Sequence, residues 1–255
     1  MRLEVLGCSG GIGRGLRTTS LAIDDDILID CGTGIGDLPV ERLREIRRVF
    51  LTHAHLDHVA GLPLLADTVF DTLKSRPLAV HCEDHTHQVL REHIFNWRIW
   101  PDFFVLPRGQ EPALHHVPFH PGDVWEDGER RVEAIRMEHT VPAMGYFISN
   151  GRSAIAFTGD TTRTERFWQV LNARPRLDVL IIECAFGNED IEVCRLAKHY
   201  CPTILAEELE RLEHDPLICI THLKPGCEQA IFEQVERAIG GRRLLRLRGG
   251  EHFDL

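Results

Sequence analysis

The hardest demand this chain makes on its fold lies in Leu51-Thr52-His53-Ala54-His55-Leu56-Asp57-His58. Three imidazoles and a carboxylate fall within six positions, directly behind the apolar run Val49-Phe50-Leu51. At the end of a strand, side-chain alternation sends His53 and His55 to one side. Asp57 and His58 then sit where the chain turns towards a helix, so four ligand-type groups converge. Burying that many polar groups beside an apolar core is costly unless a cation compensates. Neutral imidazole and carboxylate are natural ligands of zinc and similar divalent metals. The stretch reads as a metal site.

With 255 residues and 43% hydrophobic content, the chain can bury a full core. Apolar runs predict strands at 2–7, 18–23, 26–30, 48–51, 77–81, 113–117, 131–136, 144–149, 153–158, 178–182, 217–221 and 243–247. Helical spacing fits 58–73, 84–95, 164–173, 189–199, 202–212 and 226–239. Strand clusters separated by helices, in two matching halves, predict an α/β fold of two packed sheets with helices outside. One domain over 1–255 is expected, with an aromatic insert at about 96–112 that fits no regular element. Trp97, Trp100, Phe103 and Phe104 make that insert a lid on the core, a subunit contact of a homodimer, or a pocket wall.

No apolar run approaches the roughly 20 residues that span a membrane. Met1 to Gly7 reads as a first strand rather than a signal peptide. The eight cysteines contain no Cys-x-x-Cys pair, and Cys184 and Cys219 lie in apolar runs. Reduced, buried thiols in a cytoplasmic protein follow, with Cys194 and Cys201 read as two free thiols. The formal charge of −10 argues against a long nucleic acid as partner. In Arg242 to Arg248, Arg alternates with Leu, which marks one solvated face of a late strand. Gly7-Cys8-Ser9-Gly10-Gly11-Ile12-Gly13 lacks the Gly-x-Gly-x-x-Gly spacing and leads into a strand, so it is no dinucleotide fingerprint.

Four ligands in one cluster can hold one metal or supply half-shells to two. Three later residues bear on this: His139, Asp160 and His222 each follow the C-terminal end of a strand-like run, where loops gather over one sheet edge.

In this order of motifs, His-x-His-x-Asp-His, His, Asp and His, the sequence resembles the metallo-β-lactamase superfamily along nearly its whole length. The resemblance implies an αββα sandwich of two mixed sheets and a centre of two divalent metal ions, zinc first, with iron or manganese also accommodated. It assigns His53, His55 and His139 to one metal, Asp57, His58 and His222 to the other, and Asp160 to the bridge. Asp30 resembles the family's structural acid beneath the site, orienting a ligand imidazole. His81, His85, His87, His93, His115, His116 and His120 lack such placement and read as ordinary residues.

Finer likeness lies in His53 to Leu62, in His93-Ile94-Phe95-Asn96 with Ile99-Trp100-Pro101, and in Thr221-His222-Leu223-Lys224-Pro225. These segments resemble class II cyclic-nucleotide phosphodiesterases. The implied reaction is hydrolysis of a 3′,5′-cyclic nucleotide, cyclic AMP above all, to its 5′-monophosphate by a metal-bound hydroxide. Asp57 would also orient or deprotonate the attacking water, Lys224 would meet the phosphate, and Asn96 and Trp100 would contact the base. A ribonuclease Z-like tRNA-processing nuclease is the main alternative. Against it stand the missing basic arm and the stretch Ile182-Glu183-Cys184-Ala185, where apolar Ile182 takes the place of an expected His. The same absent His leaves the phosphodiesterase reading without an obvious general acid for the leaving group. A non-hydrolytic di-iron sensor uses the same ligands, but no flavin module or partner domain accompanies them.

Overall fold

Alternation along the strands decides which side chains face which layer. In a computed structural model that describes residues 1–255, Ile27 and Ile29 point into the space between two sheets, with Leu3, Val5 and Phe50. Leu28, between them, joins an outer cluster with Leu62, Leu65 and Leu90. The second sheet behaves alike. Val179, Ile181 and Cys219 face inward, while Leu180, Ile182, Ile218 and Ile220 face outward onto Phe167, Leu205 and Val235. Each fully buried Ile or Leu contributes on the order of 2 kcal/mol. Three apolar layers between helix, sheet, sheet and helix make the αββα sandwich expected from the sequence.

The first sheet is built from β1 (Arg2–Gly7), β2 (Ser20–Ile23), β3 (Ile27–Ile29), β4 (Arg48–Phe50), β5 (Leu78–Cys82) and β6 (Leu114–Pro118). The second contains β7 (Val124–Asp127), β8 (Arg130–Met137), β9 (Ala143–Ser149), β10 (Ala154–Phe157), β11 (Val179–Glu183), β12 (Leu217–Thr221) and β13 (Leu244–Arg246). A last strand, β14 (His252–Asp254), returns to the first sheet. The orders are β14-β1-β2-β3-β4-β5-β6 and β13-β12-β11-β10-β9-β8-β7. Within them β3, β4 and β5 run parallel, as do β10, β11 and β12. Their C-terminal ends therefore open on a common edge.

Two strands escape the sequence pattern. In β7 only Trp125 is even half-buried, and in β14 only Phe253, so neither shows apolar alternation. A short helix α1 (Val40–Glu45), preceded by a 3₁₀ turn at Thr33–Asp37, was likewise not expected. The helix anticipated at 58–73 is broken into α2 (Leu56–Val59), α3 (Gly61–Thr68) and α4 (Phe70–Leu73). The first break arises because the Gly61 amide donates to the Cys31 carbonyl (2.7 Å), fixing the helix to the strand end below it. Later come α5 (Asp84–His93), α6 (Glu165–Asn172), α7 (Ile191–Ala197), α8 (Pro202–Leu209) and α9 (Glu228–Ala238). No helix is long and apolar enough to cross a membrane.

The insert is irregular and packs as a lid. Phe95, Phe103 and Phe104 are buried in the outer cluster of the first sheet, with Phe95 edge-on to Phe104 at 5.3 Å. Buried Asp102 there pairs with Arg91 at 2.7 Å. All eight cysteines are free.

Candidate metal centre

The common edge delivers the site. Just past β3 comes Asp30, past β4 His53, past β8 His139, past β10 Asp160 and past β12 His222, while Glu183 ends β11. The stretch after β4 is held on both sides: Leu51 donates its amide to the His81 carbonyl (2.9 Å) and accepts from the Tyr146 hydroxyl (2.6 Å). The Thr52 amide donates to Asp30 Oδ1 at 2.8 Å, so this strand end is pinned to its neighbour. Gly159 has φ +58°, and a Cβ there would stand 2.9 Å from the Thr52 methyl. Only glycine brings Asp160 past Thr52 into the centre. His222 itself takes φ +62°, held by its amide donating to the Cys8 carbonyl at 2.8 Å. Such a conformation in a non-glycine residue persists only where its surroundings enforce it.

The seven residues singled out in the sequence fall into two groups that share one member. His53, His55, His139 and Asp160 form the first, and Asp57, His58, Asp160 and His222 the second, with ligand atoms in each within 4.8 Å of one another. Asp160 Oδ1 lies 3.2 Å from His58 Nε2 and 3.3 Å from His222 Nδ1. Its Oδ2 lies 3.7 Å from His53 Nε2 and 3.9 Å from His139 Nε2. Asp57, the most exposed of the carboxylates here, stands 3.8 Å from both His58 Nε2 and His222 Nε2.

Hydrogen bonds on the far side of each ring fix which nitrogen carries a proton. A carbonyl can only accept, so His139 Nδ1 donates to Lys198 O at 3.1 Å. His58 Nδ1 donates to Asp30 Oδ2 at 2.7 Å. The Thr52 hydroxyl donates to Asp30 Oδ2 (2.9 Å) and so accepts from His53 Nδ1 (2.9 Å). Each ring thereby turns a bare lone pair towards Asp160. His53 Nε2, His58 Nε2 and His222 Nδ1 are buried without a hydrogen-bond partner. Buried lone pairs facing a buried carboxylate repel unless a cation lies between them. The residues fit a metal pair in number, type and orientation.

The electrostatics agree. Burial holds His53 well below its ordinary pKa and also lowers His55, His139 and His222. For His58 burial works in the same direction, but Asp160 and Asp30 outweigh it and hold the ring well above its usual value. Burial would raise Asp160, yet His222, His58 and His53 keep it well below the carboxylate range.

Two residues that the sequence reading passed over join this centre. Glu183 and His199 cluster with Asp160. Glu183 is fully buried, and its carboxylate accepts from His199 Nδ1 (2.7 Å) and from the amides of Thr161 (2.9 Å) and Ala185 (3.2 Å). The His199 ring stacks on His222 at 5.3 Å and meets His139 edge-on at 5.0 Å. Burial lowers the His199 pKa, but the Glu183 carboxylate more than offsets it and leaves the ring above its usual value. An imidazole thus stands beside the centre, brought there by the turn between α7 and α8 rather than by position 182. Glu183 could have been found, since it ends an apolar run as Asp160 does. His199 follows a helix and carries no such signal.

The three expected substrate contacts differ in how their own side chains are held. Lys224 Nζ donates to Gly10 O at 3.1 Å and sits 5.4 Å above the Phe186 ring. Asn96 spends its amide on its own turn, donating to Glu92 O and accepting from the Arg98 and Ile99 amides. The second hydrogen of its NH₂ has no partner in the turn and is left for a ligand. Trp100 packs half-buried against the outer cluster with its indole N–H unpartnered.

Comparison with known proteins now bears on the site. The family model described as "Beta-lactamase superfamily domain" matches residues 25–243. A probable 3′,5′-cyclic-nucleotide phosphodiesterase of Yersinia pestis is 29% identical, over 73% of this chain and 59% of its own length. A 3′,5′-cyclic-nucleotide phosphodiesterase of Aliivibrio fischeri is 27% identical, over 86% of this chain and 80% of that one. A ribonuclease Z of Crocosphaera subtropica is 27% identical, over 58% of this chain and 48% of that one. Among solved structures, unliganded yeast PDE1 superposes with a TM-score of 0.81 at 19% identity, covering 98% of both chains. At that identity the likeness concerns the fold.

Proposed function

The chain belongs to the beta-lactamase superfamily, and from that premise we propose that it is a metal-dependent phosphodiesterase converting 3′,5′-cyclic nucleotides, cyclic AMP first, to 5′-monophosphates. The observation that carries this reading is Asp160, shared by two ligand groups beside a buried His199–Glu183 pair. His53, His55 and His139 would hold one divalent cation and Asp57, His58 and His222 the other, with zinc first and iron or manganese also suited to this donor set. Bound there, two cations polarise a phosphoryl oxygen and lower the pKa of water.

The remaining chemistry falls to the chain. Asp57, at the accessible side of the centre, is assigned to orienting the attacking water and taking its proton. His199, its Nδ1–H given to Glu183, keeps Nε2 for delivering a proton to the departing 3′-oxygen. The four hydrogen-bond donors available around Glu183 hold that carboxylate still, so the imidazole keeps its orientation through the reaction. Lys224, tethered to Gly10, is assigned to charge on the phosphate. Asn96, through its remaining amide hydrogen, and Trp100, by stacking, are assigned to the base.

A tRNA-processing nuclease gains from His199, because the absence of that imidazole had counted against it. The net charge of −10 still favours a small anionic substrate over a polynucleotide. The deciding experiment incubates the metal-loaded chain with cyclic AMP, cyclic GMP and a tRNA precursor and identifies the products. AMP from cyclic AMP is expected. A cleaved precursor beside intact cyclic nucleotides would reverse the assignment.

A further inference from the structure

A cavity of about 720 Å³ contains none of the metal-centre residues. It lies where the chain crosses from the end of β13 back to the first sheet, under Arg246 to Gly250, and is closed on the other side by Gly7 to Ser9 and the start of α9. Its volume falls within the range of small-molecule sites. Val5, Leu6, Leu16 and Leu38 give it an apolar wall.

Its charges are unevenly matched. The carboxylates on its lining are engaged: Glu4 with Arg42 at 3.4 Å, Asp37 with Arg17 at 2.9 Å, and Glu228 with the Gly226 amide at 2.8 Å. Arg246 and Arg248 have no carboxylate partner within salt-bridge distance; Arg246 is steadied only by the Gln229 amide oxygen at 2.8 Å. Between them Leu247 is buried in the inter-sheet core, which holds the two guanidiniums on the cavity rim. The start of the eleven-residue α9 adds the positive end of a helix dipole. Ser9, only 6% exposed, is one of the lining residues, and its buried hydroxyl has no hydrogen-bond partner. A buried unpaired hydroxyl in a native fold calls for a partner.

We propose that this cleft is a second ligand site, for a small molecule carrying a phosphate on an apolar or aromatic body of nucleoside-monophosphate size. Arg246 and Arg248 take the phosphate, Ser9 Oγ donates to or accepts from the body, and the leucine wall covers its apolar face. The Arg–Leu alternation is then a binding edge as well as a solvated strand face. The site does not depend on the reaction assigned to the metal centre.

The test is calorimetric titration of the metal-loaded full chain with AMP, adenosine and inorganic phosphate. The same titrations are run on Arg246→Gln/Arg248→Gln and on Arg248→Gln alone, which alters only an exposed side chain. Wild type is expected to hold one more AMP per chain than the double variant, with affinity at that site about tenfold lower in the single variant. Equal unfolding midpoints certify that the variants are folded. The same number of AMP sites in wild type and double variant, including none in either, overturns the proposal. Adenosine filling the extra site as well as AMP overturns the phosphate's role, and inorganic phosphate binding there as tightly as AMP overturns the organic body.

Discussion

Replacing Asp30 with Asn changes one atom and separates the two halves of the metal centre. Asp30 is fully buried, with Oδ1 accepting the Thr52 amide at 2.8 Å and Oδ2 accepting His58 Nδ1 at 2.7 Å. In Asp30→Asn the oxygen stays on the Thr52 amide, because that donor has no other partner, and the NH₂ faces His58 Nδ1. Two donors then meet. Keeping the ring as it is forfeits a charge-assisted hydrogen bond of about 1.5–3 kcal/mol. Moving its proton to Nε2 restores a hydrogen bond but removes the lone pair 3.2 Å from Asp160 Oδ1. Either way the group of Asp57, His58, Asp160 and His222 weakens, by about 10–100-fold in metal affinity. The group of His53, His55 and His139 is spared, since the Thr52 hydroxyl still reaches Oδ1 at 3.1 Å and still accepts from His53. Metal content after dialysis against graded chelator should therefore fall in two separated steps, where wild type loses both ions over a narrower range. Asp30→Ala is a poorer probe, because it leaves two buried donors unpaired at about 1–3 kcal/mol each. Two ions retained at wild-type chelator concentrations in Asp30→Asn would refute the argument that Asp30 sets the His58 tautomer.

Three further outcomes are expected. Asp160→Ala removes the carboxylate common to both groups, so metal content and turnover should both collapse while far-ultraviolet circular dichroism is kept; near-wild-type turnover would exclude a bridging role. His199→Gln should lower kcat for cyclic AMP by about 100-fold or more. It should affect a nitrophenyl phosphodiester far less, because that leaving group needs no proton; equal losses on both substrates would deny His199 the role of acid. Burial next to Phe50 depresses His81 from 6.5 to about 4. The unfolded chain then takes up a proton below pH 6.5 that the folded chain refuses, so stability falls as pH drops from about 6.5 towards 4. The loss is on the order of 3 kcal/mol. Urea unfolding of His81→Phe at pH 7 and pH 4.5 should show a shallower decline than wild type; parallel declines would remove His81 from the account.

Much of this fold is written in short-range pattern. Where a strand is buried on both faces, as in Val179 to Ile182, or alternates, as in Arg2 to Val5, its apolar residues announce it locally. The ligands were legible for the same reason: His53, His139, Asp160 and His222 each interrupt the chain directly after such a run, and a polar group at a buried strand end has few other purposes. β7 and β14 stayed hidden because they lie mostly exposed at sheet edges, where pairing comes from backbone groups and leaves no side-chain signature. Only the tertiary structure could bring His199 from a helix turn onto Glu183, turn Thr52 into the link between Asp30 and His53, and show that Asn96 braces its own turn. Sequence determines which residues want to leave water and with what period. Which polar atoms then find one another across distant segments depends on how the two sheets close, and that closure is a property of the whole packed chain.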